Sequence, residues 1–206
     1  LEIEQSAKLL EECGFTFMFA QNHHPAMKFI MPVRRYIHNK TILNILGQLT
    51  NHSCVKKSLL GVFDKAFVPK MLEALRINGA NSAMVVSSKE RMDEISISDI
   101  SYASRLHNGI VTEFEIDPEV YGIKRVPLEA IIGGDAEQNA QILRDIFDSK
   151  ATDAQRDIVL INAAASFMVE GLARDIQDGL EIARETIQSK KATQKLKQIV
   201  EISNKL

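Results

Sequence analysis

Residues 59–86 read LLGVFDKAFVPKMLEALRINGANSAMVV, and this stretch decides the fold. The apolar run 59–63 predicts a strand, Asp64 predicts a helix N-cap, and Asn78-Gly79 predicts the end of that helix. Residues 83–86 predict a second short strand. Consecutive strands joined by a helix pair in parallel through a right-handed crossover, so the stretch predicts an α/β sheet.

The chain changes character after this unit. Asn108-Gly109 lies between two β-rich runs, 94–106 and 110–116, and is the strongest short-range signal for a hairpin. Beyond Gly133 the pattern is helical, with helices predicted at 135–147, from 153 onward, at 176–187 and at 192–202. We therefore predict a single α/β unit over residues 1–206: a mostly parallel sheet with flanking helices, an antiparallel hairpin excursion and a helical C-terminal region.

The first residues carry two further patterns. About the first dozen place apolar side chains at helical spacing and predict an amphipathic helix that Gly14 ends. Residues 15–19, FTFMF, then predict a buried strand. His23 and His24 follow in a polar turn. Adjacent histidines point in different directions and are poor joint metal ligands, which favours a turn with one histidine hydrogen-bonded in the core.

The composition is that of a globular protein, with 45% hydrophobic and 25% charged residues and a net charge of −2. This apolar content excludes intrinsic disorder, and the charge balance argues against a globally basic nucleic-acid binder. No apolar run approaches the ~20 residues that a membrane span needs. From this and from the charge balance, we expect neither membrane nor nucleic acid as a partner. Cys13 and Cys54 have neither a CxxC nor a zinc spacing, which indicates reduced thiols in a cytoplasmic protein.

The small net charge conceals a local excess of positive charge. Residues 13–63 contain no Asp or Glu, and their six basic side chains are Lys28, Arg34, Arg35, Lys40, Lys56 and Lys57. A positive segment in an otherwise negative chain suggests an anion site, with chance clustering on a solvated face as the alternative. Arg34 or Arg35 could hold a small carboxylate in its planar guanidinium fork, or pair with acids distant in sequence.

Two more stretches have the composition of a phosphate or metal site. The adjacent carboxylates Asp93 and Glu94 suit Mg²⁺ held through few protein oxygens beside a phosphate, although most such pairs are merely solvated. Gly133-Gly134 could cradle a phosphate at a helix N-terminus. Asp135 and Glu137 would repel that phosphate, so we interpret the second stretch as a turn and helix cap.

Taken together, several segments resemble one known family. They are 14–20 (GFTFMFA), 23–28 (HHPAMK), 32–35 (PVRR), 41–51 (TILNILGQLTN), 93–96 (DEIS), 133–136 (GGDA) with Asn139-Ala140, and 162–165 (NAAA). In order and spacing they resemble the central signature of anthranilate phosphoribosyltransferase. The resemblance covers essentially the whole chain and implies the fold shared by nucleoside phosphorylases and such phosphoribosyltransferases.

The resemblance implies an enzyme of tryptophan biosynthesis that joins anthranilate to phosphoribosyl pyrophosphate and releases pyrophosphate. It implies that Arg34 holds the anthranilate carboxylate, while His24, Met27 and Gly47 line the path of the aromatic ring. In such an enzyme the positioned amine of anthranilate meets an oxocarbenium-like ribose, so no covalent nucleophile is required and we assign no catalytic side chain.

The resemblance also implies a cofactor and a partner. Asp93 and Glu94 are expected to hold Mg²⁺ against the pyrophosphate, which eases departure of the diphosphate. The full-length enzyme is expected to be a homodimer. Gln48 and His52 stand where the family has proline in its Gly-Pro-Leu-Thr-Asn-Pro loop, which predicts a less rigid loop.

The resemblance further predicts that this chain is the C-terminal part of a larger glycosyltransferase-type catalytic domain. The family's Gly-Thr-Gly-Gly-Asp and Lys-His-Gly-Asn-Arg phosphate loops and its N-terminal helical domain have no counterpart in the sequence. The chain is therefore expected to keep its fold but to have little activity by itself. Two alternatives are an enzyme like pyrimidine nucleoside phosphorylase and a non-catalytic paralogue that binds nucleic acid through residues 13–63.

Overall fold

The computed structural model describes residues 1–23, 45, 47, 49 and 55–206. These residues group into two compact units, one of Leu1–Thr50 with Lys190–Leu206 and one of Asn51–Ser189. Each is described by itself below, and the expectation of a single α/β unit over residues 1–206 stays a prediction.

The larger unit is built on a four-stranded sheet in the order β1-β2-β3-β4. Its strands are β1 (Lys57–Gly61), β2 (Ser82–Ser88), β3 (Ser101–His107) and β4 (Ile110–Ile116). β1 and β2 pair in parallel, as the strand–helix–strand pattern predicts, whereas β2–β3 and β3–β4 are antiparallel. The α/β class is confirmed. Within the described residues the sheet is mixed rather than mostly parallel, because the hairpin supplies two of its four strands.

The helices of the described residues lie where the sequence predicts them, to within a few residues, except at 20–23, where a short helix replaces the start of the predicted polar turn. In chain order they are α1 (Ile3–Cys13), α2 (Ala20–His23), α3 (Val68–Ile77), α4 (Ala136–Phe147), α5 (Asp153–Glu170), α6 (Ile176–Gln188) and α7 (Lys191–Ser203). Three short 3₁₀ helices lie at Lys65–Phe67, Pro118–Tyr121 and Leu128–Ile131. No helix in the described ranges combines the length and apolar character that a bilayer crossing requires.

Strand β2 is the centre of the larger unit, because every one of its seven residues is buried. Side chains alternate between the two faces of a strand. Met84 and Val86 belong to the core cluster shared with α5 and α6. Ala83 and Val85 face the other side, which α3 covers. A strand covered on both faces explains why the sequence shows an unbroken apolar run here instead of an alternation.

The C-terminal end of α5 is held by three strands. The Lys57 ammonium donates to the Glu170 carbonyl at 2.7 Å, the Ser82 hydroxyl to the Val169 carbonyl at 2.7 Å, and the Arg105 guanidinium to the Met168 carbonyl at 3.2 Å. The last carbonyls of a helix have no partner within it, and positive charge is favoured at that end. These bonds fix the end of α5 against β1, β2 and β3.

In the smaller unit, α1 packs against α7, and the Lys195 ammonium donates to the Cys13 carbonyl at 2.9 Å. Gly14 ends α1 in the left-handed conformation, as predicted. The buried imidazole of His23 contacts the Ser6 hydroxyl at 3.2 Å and the Phe19 carbonyl at 3.0 Å. One of the two adjacent histidines is thus a core hydrogen-bonding residue, as the turn pattern favours.

The prediction of a buried strand at residues 15–19 is wrong. These residues have no strand structure, and the side chains of Phe15, Phe17, Met18 and Phe19 are all exposed. An aromatic run indicates apolar surroundings but does not supply the neighbouring strand that backbone pairing requires. Among the described residues no strand pairs with this segment.

The turn between β3 and β4 should be sensitive to the residue at its second position. Asn108 and Gly109 both have positive φ, 51° and 79°, the geometry of the predicted two-residue hairpin. We expect Gly109→Ala to lower the free energy of unfolding by about 1–2 kcal/mol, because an L side chain is strained there. Asn108→Gly is the matched control and should change it by less than ~0.5 kcal/mol. Equal urea midpoints for the two variants would contradict this account.

Candidate functional site

The candidate site is the loop of residues 89–100 that joins β2 to β3. It opens with a tight turn in which the Ser88 amide donates to the Met92 carbonyl at 3.0 Å and the Met92 amide donates to the Ser88 hydroxyl at 2.9 Å. Arg91 closes this turn with a φ of 69°, in the left-handed region. Asp93 and Glu94 come directly after Met92 in the chain, and both are exposed. The acidic pair therefore emerges beyond the carboxyl end of β2, where ligands bind in open α/β sheets.

The backbone of Asp93 lies directly against the last residue of β1. A Cβ atom placed on Gly61 would overlap the carbonyl group of Asp93 and lie 3.1 Å from its Cα. Only glycine permits so close an approach of two backbones. The acidic pair is thus brought to the carboxyl ends of both parallel strands, since Gly61 pairs with Val86 of β2.

The other side of the acidic pair is held by α5. The Asn162 carboxamide accepts from the Ile95 amide at 3.0 Å and donates to the Ile95 carbonyl at 2.8 Å. Ile95 is fully buried, so its backbone groups need these partners. The next residue, Ser96, is also buried; its amide donates to the Ser101 hydroxyl at 2.9 Å and its hydroxyl donates to the Glu90 carboxylate.

The charge of the pair is not balanced locally. Although Glu94 is exposed as a residue, partial burial of its carboxyl raises the pKa of that group, and the neighbouring charge of Asp93 raises it further. Lys89 pairs with Asp99 at 2.9 Å instead, which lowers the pKa of that carboxyl. Arg125 also contacts Asp99, at 3.3 Å. Two cations of this region, Lys89 and Arg125, are therefore engaged by other acids.

An unbalanced pair of hard oxygen ligands is the donor set that Mg²⁺ takes in proteins. Within the described ranges no three His, Cys, Asp or Glu residues are grouped as a metal site. Mg²⁺ needs no such cage, since it keeps several waters and binds through one or two carboxylates together with substrate phosphates. Asp93 and Glu94 fit this mode, and a bound cation would offset the repulsion that raises the Glu94 pKa.

Of the other four predicted site residues, the structure describes one. His24, Met27 and Arg34 lie outside the described residues. Gly47 belongs to the smaller unit and has helical, half-buried backbone. Lys57, one of the six basic residues of the segment 13–63, is paired with Glu170 at 2.7 Å. That pairing removes one of the six charges, because a lysine held by a carboxylate is less available to an external anion.

The Gly133-Gly134 turn is a helix cap, as predicted from its flanking acids. Asp135 and Gln138 form a reciprocal capping box at the start of α4. The Asn139 carboxamide accepts from the Gly134 amide at 2.8 Å and donates to its carbonyl at 2.9 Å. The Gly134 and Asp135 amides are both engaged by side chains of the same helix, as a helix cap requires.

A cavity of about 320 Å³ lies elsewhere in the larger unit. Its lining residues are Gly122, Ile123, Ile146, Ser149, Ala151, Arg156, Asp157, Leu160, Arg184, Ile187 and Gln188. Arg156 is already paired with Asp153 at 2.7 Å and with Asp157 at 2.9 Å. The cavity includes neither member of the acidic pair, so its size alone does not make it the functional site.

Sequence reasoning missed two residues that build the site. Gly61 was a glycine inside a predicted strand, which signals a close backbone approach, but the approaching segment could not be identified. Asn162 appeared in the NAAA motif with no role assigned. Its polar side chain in an apolar helix was a signal of a buried hydrogen bond, and its partner Ile95 is 67 residues away.

This α/β unit carries an acidic loop at the carboxyl ends of its two parallel strands. Residues 1–193 match the family described as "Glycosyl transferase family, a/b domain". The chain belongs to this glycosyl transferase family.

Individual relatives carry a more particular name. The anthranilate phosphoribosyltransferase of Rubrobacter xylanophilus is 39% identical over 206 residues, which are 100% of this chain and 60% of that protein. The one from Parvibaculum lavamentivorans is 43% identical over 198 residues, 96% of this chain and 58% of that protein. The chain thus spans about 60% of the length of the curated relatives that it matches.

Solved structures agree on the fold. The anthranilate phosphoribosyltransferase of Thermus thermophilus matches with a TM-score of 0.89 at 32% identity, covering 98% of this chain and 60% of that one. The Saccharomyces cerevisiae enzyme in complex with PRPP and Mg matches with a TM-score of 0.90 at 20% identity, covering 100% of this chain and 59% of that one. At that identity the yeast match is a likeness of fold.

A side chain at Gly61 should displace the acidic loop. We expect Gly61→Ala to cost about 1–3 kcal/mol of unfolding free energy, because the new methyl group overlaps backbone that cannot move aside cheaply. It should also speed hydrogen exchange at the Ile95 amide. Leu59→Ala is the control: it removes core volume from the same strand but adds nothing against Asp93. If the two variants are equally destabilised and the Ile95 amide exchanges no faster in Gly61→Ala than in Leu59→Ala, the loop is not displaced.

Removal of the Glu94 charge should stabilise the folded protein at pH values above the range in which glutamate normally titrates. The folded pKa is raised, so the cost of ionised Glu94 is fully present above that folded pKa. This cost vanishes as pH falls below the ordinary glutamate pKa, where the group is protonated in both states. Glu94→Gln should therefore have the higher Tm near neutral pH, with a gain that disappears in acid. Glu73→Gln is the control of opposite sign: the hydrogen bond from Arg76 lowers the pKa of the Glu73 carboxyl, so this substitution should lower the Tm near neutral pH.

Proposed function

We propose that this protein transfers a phosphoribosyl group from phosphoribosyl pyrophosphate to anthranilate, with release of pyrophosphate, as a step of tryptophan biosynthesis. The observation that carries the proposal is the acidic pair Asp93 and Glu94 at the carboxyl ends of β1 and β2. The backbone of this pair contacts Gly61 and is followed by Ile95, which Asn162 holds. The names of the relatives at 39–43% identity support the choice of substrates.

Each site residue has a proposed role in this reaction. Asp93 and Glu94 would hold Mg²⁺, which when bound neutralises charge on the departing diphosphate. Arg34 would orient the anthranilate carboxylate in its planar guanidinium fork. His24, Met27 and Gly47 would line the path of the aromatic ring. Because the amine of anthranilate is itself the nucleophile, the side chains act by orientation and electrostatics and form no covalent bond with substrate.

The proposal extends to the setting of the enzyme. We infer a cytoplasmic homodimer that binds neither membrane nor nucleic acid. We further propose that the chain acts as the C-terminal part of a larger catalytic domain and has little activity alone. Its relatives are longer, the chain spanning about 60% of their length, which supports this last point.

The reaction is tested by the loss of anthranilate fluorescence in the presence of phosphoribosyl pyrophosphate and Mg²⁺. We expect turnover by the protein as its gene encodes it, and little or none by residues 1–206 alone. A parallel assay of thymidine cleavage by inorganic phosphate tests the nucleoside phosphorylase alternative. Phosphate-dependent cleavage without anthranilate consumption would overturn the proposed function.

Replacement of Arg34 should separate the two substrates. A charge-assisted hydrogen bond contributes about 1.5–3 kcal/mol, so Arg34→Ala should raise the anthranilate KM about 10- to 100-fold. The KM for phosphoribosyl pyrophosphate should change little. Arg76→Ala is the matched control, since Arg76 is an exposed guanidinium paired with Glu73 at 2.6 Å on α3. Equal changes in the two KM values would show that Arg34 does not hold the carboxylate.

A further inference from the structure

The Asn162 side chain imitates a neighbouring β-strand. Its carboxamide makes both hydrogen bonds that a strand would make with the Ile95 backbone, one to the amide and one to the carbonyl. The same nitrogen also donates to the Ile158 carbonyl at 2.9 Å, one turn earlier in α5. Both N–H donors and the carbonyl oxygen are therefore in use, and the orientation of the carboxamide is determined.

The backbone that Asn162 holds is directly attached to the acidic pair. Ile95 follows Glu94 and is fully buried. Within the pair, the Asp93 carbonyl lies against Gly61. The backbone that carries Asp93 and Glu94 is thus fixed at two points, the Asp93 carbonyl and Ile95, and the second of them is held by the Asn162 side chain.

The helix that carries Asn162, α5, is itself fixed to the sheet. The last turn of α5 receives hydrogen bonds from Lys57, Ser82 and Arg105, which belong to β1, β2 and β3. Asn162 lies two turns before that end of the helix. A displacement of Ile95 relative to the sheet would therefore require either the carboxamide bonds or the anchored helix to give way.

We propose that Asn162 is a positioning residue, which sets the place of the Asp93 and Glu94 carboxylates for a divalent cation through the Ile95 backbone. This inference rests on the metal-holding role proposed above. Groups that orient metal ligands typically change metal affinity 10- to 100-fold when they are removed. Because Asn162 acts through the main chain, the lower end of that range, a loss of about tenfold, is expected.

The test uses Mn²⁺ as a paramagnetic probe and the backbone amide NMR signals of residues 92–96. In the wild-type chain, Mn²⁺ should selectively broaden these signals. Asn162→Leu keeps a similar side-chain volume but makes none of the three hydrogen bonds. It should raise the Mn²⁺ concentration for half-broadening about tenfold and speed hydrogen exchange at the Ile95 amide. Asn162→Asp keeps the acceptor for that amide but no donor, and should give an intermediate loss.

Leu180→Ala separates positioning from general destabilisation. Leu180 is fully buried on α6 in the same core cluster as Ile95, so its truncation weakens the core around the loop but leaves the two Asn162–Ile95 hydrogen bonds their donors and acceptors. It should leave the Mn²⁺ response of residues 92–96 unchanged. Wild-type Mn²⁺ affinity in both Asn162 variants, or an equal loss in Leu180→Ala, would overturn the inference.

A different outcome tests the metal role itself. Asp93→Asn should abolish the selective broadening if the acidic pair holds the cation. No selective broadening in the wild-type chain, or unchanged broadening in Asp93→Asn, would overturn the metal-holding role. Intact broadening in wild type, lost in Asp93→Asn but kept in Asn162→Leu, would overturn only the role of Asn162.

Discussion

The close approach of Gly61 to the Asp93 carbonyl is the constraint from which the site follows. Two backbones can meet this closely only where one residue has no side chain. The contact joins the end of β1 to a loop that leaves β2, so the edge formed by the two parallel strands carries the acidic pair. The carboxamide of Asn162 completes the arrangement from the helical side of the sheet.

This geometry explains an electrostatic cost in the folded protein. Lys89 and Arg125 stand near the loop, but Asp99 and Asp117 engage them. Partial burial of the Glu94 carboxyl therefore disfavours its charge, and the adjacent charge of Asp93 adds to that penalty. Proteins commonly keep such destabilising arrangements where binding requires them, since a ligand of opposite charge removes the cost.

Local patterns predicted most of the fold, and long-range contacts account for the rest. The helices and the Asn108-Gly109 turn were predictable because caps and turn conformations depend on a few adjacent residues. Asp93 and Glu94 were recognisable because two carboxylates are adjacent in sequence. The strand expected at 15–19 was wrong because strand formation depends on a partner that composition does not specify. Gly61 and Asn162 act across the fold, so no local pattern could assign their partners.

The anchoring of α5 has a consequence for how the protein acquires its site. Lys57 and Glu170 are 113 residues apart in the chain, and Ile95 and Asn162 are 67 apart. Contacts between distant residues form only after the entropy cost of closing long loops has been met. The acidic loop therefore cannot take its final shape until the helix that carries Asn162 has docked on the sheet. During synthesis, the ribosome must have released Asn162 before the loop that precedes it can be completed.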